Sequence, residues 1–245
     1  MRALAYEGRR LLGLRSSWLI LAVTLLAGSG LAAVLAHRTA PGPLSAPDLA
    51  RLATAAVPVL PIPFAALAAG LLGALAAAHE VRCPGLPASQ VRYTARLRLL
   101  LAKLAVIGTA SALLALAALL LNSLTVRLAL PPAGAPVRLL TPELLRTDHR
   151  LVPLLATFVA LVVAAGCSGV LATTLTRSAI AGILLLCALP TLVEQLALPT
   201  VLNALHHEGV SWAPTHLARA VAVVLLPVLA LLAGALLAQT RRRSF

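Results

Sequence analysis

Charge is what this chain has least of. Asp, Glu, Lys and Arg together make 11% of its 245 residues, against about 25% in a soluble globular domain. So few charged groups cannot cover a water-facing surface, which excludes an ordinary soluble fold. Acidic residues are scarcer still, seven against twenty basic ones, and Lys103 is the single lysine among arginines. Aromatics reach only 3%, so Leu, Ala and Val carry nearly all the apolar surface. Cys83, Cys167 and Cys187 lie far apart in sequence and form no CxxC. That spacing carries neither a disulfide framework nor a zinc signature. Cys167 and Cys187 fall inside apolar runs and read as small packing residues.

Catalytic motifs are missing as well. There is no GxxxxGK[ST], so ATP cannot be hydrolysed through a P-loop of this chain. Neither GxSxG, HExxH nor a carboxylate pair occurs. The sequence calls for no cofactor and no metal.

Long apolar stretches are abundant, and the mean hydropathy is +0.98. A hydrocarbon core about 30 Å thick needs about 20 apolar residues as helix, because lipid offers the backbone no hydrogen-bond partner. Six segments meet that length: Trp18–Ala36, Leu52–Ala78, Leu104–Val126, Leu151–Leu175, Ala179–Leu198 and Ala220–Ala238. The expected fold is all-α, a polytopic bundle of six transmembrane helices forming one membrane domain over residues 1–245. The first run also fits a cleavable signal peptide, with a basic start and the small-residue ending Val34-Leu35-Ala36. Its 19 apolar residues exceed a usual signal core, and a span is the reading adopted.

The basic residues divide thirteen to seven between the two sides that six spans create. The richer side holds the N-terminal arginines, the segment 79–103, Arg177 and Arg241–Arg243. The positive-inside rule makes that side cytoplasmic and places both termini there, in the cell membrane. The net charge of +13 would suggest nucleic acid in a soluble protein. At span ends the same charge meets anionic lipid head groups, and nucleic acid is not an expected partner.

Residues 1–17 place Leu4, Leu11 and Leu12 on one helical face, with Arg2, Arg9 and Arg10 elsewhere. That pattern suits an interfacial helix lying on the bilayer; a basic flank that only fixes topology is the plainer alternative. Pro58, Pro61 and Pro63 interrupt the second span, and Pro190 and Pro227 the fifth and sixth. They fit bends or the shaping of a pathway. Ala165, Gly166 and Gly169 form a small-residue strip for close helix contact, within one protomer or between two. Glu194 is the only acid inside a span, about 6 Å from the outer end of the fifth. It suits a snorkelling or hydrogen-bonded carboxylate, with a place in a substrate or proton pathway as the sharper alternative. His206, His207, Glu208 and His216 cluster after that span. Adjacent histidines point about 100° apart on a helix, which disfavours a metal site and favours a polar loop.

The segment 79–103 is the most pointed feature. Glu80 and Arg82 follow the second span, Pro84-Gly85-Leu86-Pro87 forces a turn, and ASQVRYTARLRLLLAKL leads into the third. On a helix Arg92, Arg96 and Lys103 share a face within about 40°. A basic loop anchored to lipid phosphates is the bland alternative.

These features together resemble the membrane subunit, or permease, of ABC transporters of the type 2 exporter class. The likeness is carried by the basic start MRALAYEGRRLLGLRSSW, the six spans, the segment from Glu80 to Lys103, and Trp212-Ala213-Pro214 before the last span. Pro84-Gly85 stands where the family more often has Gly-Thr. The resemblance implies that Glu80, Arg82, Arg92, Arg96 and Lys103 belong to a cytoplasmic coupling segment. A separate ABC ATP-binding subunit would dock there, and a second permease, identical or related, would complete the pathway. The chain would be a transport subunit, not an enzyme. A membrane scaffold protein, or an intramembrane enzyme or proton-linked carrier, are the readings from other classes.

Overall fold

The computed structural model describes residues 7–9, 11, 13, 15–39, 46–56, 63–82, 93–129, 151–178, 180 and 184. Five helices run through them: α1 (Arg15–Arg38), α2 (Ala46–Thr54), α3 (Phe64–Arg82), α4 (Tyr93–Ala129) and α5 (Leu151–Thr176). No β-strand occurs among the described residues. Three stretches are long and apolar enough to cross a membrane: Arg15–Arg38, Leu99–Ala129 and Leu154–Thr176. They coincide with the expected first, third and fourth spans. The expected fifth and sixth spans lie outside the described residues, apart from Ile180 and Leu184.

The second expected span is built differently. A single helix over Leu52–Ala78 is replaced by two, α2 and α3. The apolar part of α3, Phe64–Ala78, is about 22 Å long at 1.5 Å per residue, too short to cross alone. The prolines at 58, 61 and 63 fall between the two helices, where missing amide donors break a ladder. The third span also differs. α4 begins at Tyr93 instead of Leu104 and joins the basic stretch to the apolar one in a single 37-residue helix.

Two apolar clusters mark the ends of the bundle. One gathers Leu11, Ala76, Ala77, Leu100, Leu104, Ile107, Val170, Leu171, Ala172 and Leu175. The other joins the end of α1 (Ala32, Ala36), the buried face of α2, the start of α3, the end of α4 and the start of α5. Successive long helices therefore alternate in direction: α1 and α4 run one way, α3 and α5 the other.

α1 is apolar on the outside. It buries Ser17, Thr24, Ala32 and Ala36 and exposes Trp18, Leu19, Val23, Leu26 and Val34. Water would select the reverse. In lipid, tails are as apolar as leucine, so small residues gather at helix contacts and large ones face outward. The buried Thr24 hydroxyl donates to the Ile20 carbonyl at 2.7 Å, so it is not stranded.

α3 and α5 meet at backbone level, and α4 closes on them through the Ser111 side chain. A Cβ at Gly73 would run into the Gly166 carbonyl oxygen and stand 3.1 Å from the Val170 nitrogen. A Cβ at Gly169 would meet the Gly70 carbonyl, and one at Gly166 the Ser111 hydroxyl. The strip of Gly166 and Gly169 thus serves contacts within the chain. Cys167 is half-buried beside Gly108, in keeping with a packing role.

Candidate functional site

The residues of the expected coupling segment flank the gap between α3 and α4. Glu80 and Arg82 fall in the last turn of α3, and Arg96 lies in the first turn of α4. Their backbones are helical, and Arg92 lies outside the described residues. The short apolar helix α3 leads to the gap from one side, and α4, continuous with the membrane-length stretch Leu99–Ala129, leads away on the other. Lys103, expected to share a helical face with Arg92 and Arg96, is buried. It is 4% exposed, because α4 reaches ten residues further toward its start and packs Leu100 and Leu104 into the apolar cluster on either side of it. Lys103 is not free; it has an interaction partner.

The N-terminal stretch reaches the same end. Leu11 packs against the cluster formed by α3, α4 and α5, and Glu7, one turn earlier, is buried and engaged. Glu194 and the cluster of His206, His207, Glu208 and His216 lie outside the described residues. Among the described residues no group of three or more His, Cys, Asp or Glu could hold a metal ion.

The opposite end holds a structure that sequence patterns did not reveal. The segment 37–51, between the first two expected spans, contains most of α2. Its Leu49, Ala50, Leu52 and Ala53 are buried while Asp48 and Arg51 face outward. The helix stops at Ala55, whose φ of 49° is left-handed. The Ala55 amide donates to Leu52 O at 3.2 Å, and the Ala56 amide to Arg51 O at 3.1 Å. This pair of bonds is a Schellman cap, with alanine where glycine is usual.

One carbonyl of that last turn is satisfied from elsewhere. Asn122 on α4, 3% exposed, donates its Nδ2 to Ala53 O at 3.0 Å. Asn122 stands seven residues before the end of α4, about 10 Å along the axis. The end of α2 therefore descends into the bundle instead of lying on top of it. Gly28 of α1 completes the site, since a Cβ there would stand 3.4 Å from the Asn122 Oδ1. The sequence signal was present: a lone asparagine in an apolar run, and Leu49, Ala50, Leu52 and Ala53 at helical spacing around the charged Asp48 and Arg51.

Comparison with protein-family models, with curated proteins and with solved structures finds no match for this chain.

Proposed function

We infer that the chain is the permease subunit of an ATP-driven exporter, crossing the cell membrane six times with both termini cytoplasmic. A second permease subunit would complete the pathway, and a separate ABC ATPase would supply the energy. One observation supports this reading above the others: Glu80 and Arg82 close the apolar helix α3, and Arg96 opens α4, which runs unbroken into the membrane-length stretch Leu99–Ala129. A partner pressing on the segment between them would move α3 and α4 directly. α3 is in backbone contact with α5 through Gly73, Gly166 and Gly169, so the push would reach a third helix without loss in flexible side chains.

The test is recovery of an ATPase with the tagged, membrane-extracted chain. Single surface ion pairs contribute only about 0 to 1 kcal/mol, so one charge change should do little. Reversing Glu80, Arg82 and Arg92 together should cut recovery by about tenfold or more at normal membrane level. Undiminished recovery, with normal substrate-stimulated ATP hydrolysis, would return the segment to a lipid-anchored topology signal.

A further inference from the structure

α2 is the shortest of the described helices. Nine residues make a helix too short to persist alone in water, so its fold depends on docking. Its docked face is Leu49, Ala50, Leu52, Ala53 and Ala55, three alanines and two leucines. Asn122 of α4 donates a hydrogen bond to its Ala53 carbonyl. Its end turns through a left-handed alanine. The helices it rests on are about three to four times longer, and α3 and α5 touch at their backbones while the Ser111 side chain of α4 lies against Gly166. Local openings are drawn from segments with few buried contacts.

We propose that α2 is a releasable strap, and that Asn122 is its latch. Residues 46–56 dock and fold as one unit against α1, α4 and α5, and leave as one unit while the crossing of α3, α4 and α5 stays closed. Release frees the Asn122 amide and uncovers the small-residue faces of α1 and α4 at that end, around Gly28 and Ala118. The wedge is built into the interior: the Ala53 carbonyl reaches Asn122 about 10 Å below the end of α4. This device goes beyond the permease reading and does not depend on transport.

Hydrogen exchange on the full chain in lipid nanodiscs tests it. Amides 50–56 should exchange together, at least tenfold faster than those of Ile107–Ala115 and Val170–Ala172. Asn122→Ala should accelerate 50–56 by about a further tenfold and leave the other two segments unchanged. A second variant guards against misfolding of the first: Ala53→Cys with Asn122→Cys, in a chain with its native cysteines replaced by alanine. Oxidised, this pair should slow 50–56 to the rate of the crossing, and reduction should restore fast exchange. Exchange of 50–56 at the rate of the crossing in the wild type would overturn the strap. So would an acceleration by Asn122→Ala spread equally over all helices, or an oxidised pair that leaves 50–56 fast.

Discussion

The crossing at Gly73, Gly166 and Gly169 and the docked α2 hold helices together by opposite means. At the crossing, side chains are absent and long helices touch through backbone atoms. At α2, a short helix lays small side chains on its neighbours and is pinned by one amide. Lipid gives helices no hydrophobic reason to associate, so closeness and hydrogen bonds decide the strength of a contact. The first contact leaves no room for a larger side chain at its glycines. The second can be taken apart and remade.

The largest effect should come from adding bulk at the crossing. In Gly73→Val the new Cβ meets the Gly166 carbonyl and the Val170 nitrogen, both backbone atoms that cannot rotate away. Overpacking of this kind costs typically 1–3 kcal/mol, and with backbone on both sides we expect about 3. Thermal melting followed by size-exclusion chromatography should show the loss over the whole bundle. An unchanged melt would mean that the helices part freely there, and the contrast would fail.

Asn122→Leu comes next. It removes the donor to Ala53 O and leaves a buried carbonyl unpaired, at about 1–3 kcal/mol. The effect should fall on α2 first, read as earlier proteolysis near residues 46–56 than in the long helices. Simultaneous cleavage everywhere would place Asn122 in the same unit as the glycine crossing.

Much of this arrangement was legible in the sequence, and its limits have physical causes. Apolar runs located α1, α4 and α5 because lipid sets their length and composition directly. Hydropathy merged α2 with α3, since Leu52 and Ala53 are as apolar as the helix beyond the prolines. Pro58, Pro61 and Pro63 signalled a break but not that the first piece stands as a separate amphipathic helix. Spacing put Arg92, Arg96 and Lys103 on one face, yet periodicity cannot say which face packs, and Lys103 is buried. Asn122 was visible as an odd residue. Its partner, 69 positions away, depends on the relative depth of two helices, which no local pattern encodes.

A smaller effect, of opposite sign, is expected from Ser111→Ala. The Ser111 hydroxyl is buried and finds no hydrogen-bond partner among the described residues, while it presses on Gly166. Other hydroxyls donate back along their helices, Thr109 to Ala105 O at 3.0 Å and Thr125 to Leu121 O at 2.8 Å. Removing an unsatisfied buried hydroxyl should stabilise the crossing by about 1 kcal/mol. A lower melting point would show that the hydroxyl does have a partner, such as an internal water.

Ala55→Gly should have the smallest effect and sharpens the contrast most. Ala55 holds a φ of 49°, a conformation that costs an L-residue roughly 1–2 kcal/mol and glycine almost nothing. Glycine gives part of this back, because it frees the unfolded chain by about 0.4–1 kcal/mol. The net gain is about 0.5 kcal/mol, and it acts only while the Schellman turn is formed. It should therefore slow hydrogen exchange at 50–56 by about twofold and leave the melting of the long helices where it was. Arg177, at φ 53° after α5, closes the comparison from the other side. Its amide bonds Thr173 O at 2.9 Å at the end of a helix secured by the crossing, so Arg177→Gly should leave exchange at 50–56 untouched. If Ala55→Gly speeds exchange there instead, the left-handed turn is not what ends α2, and the cap loses its part in holding the strap.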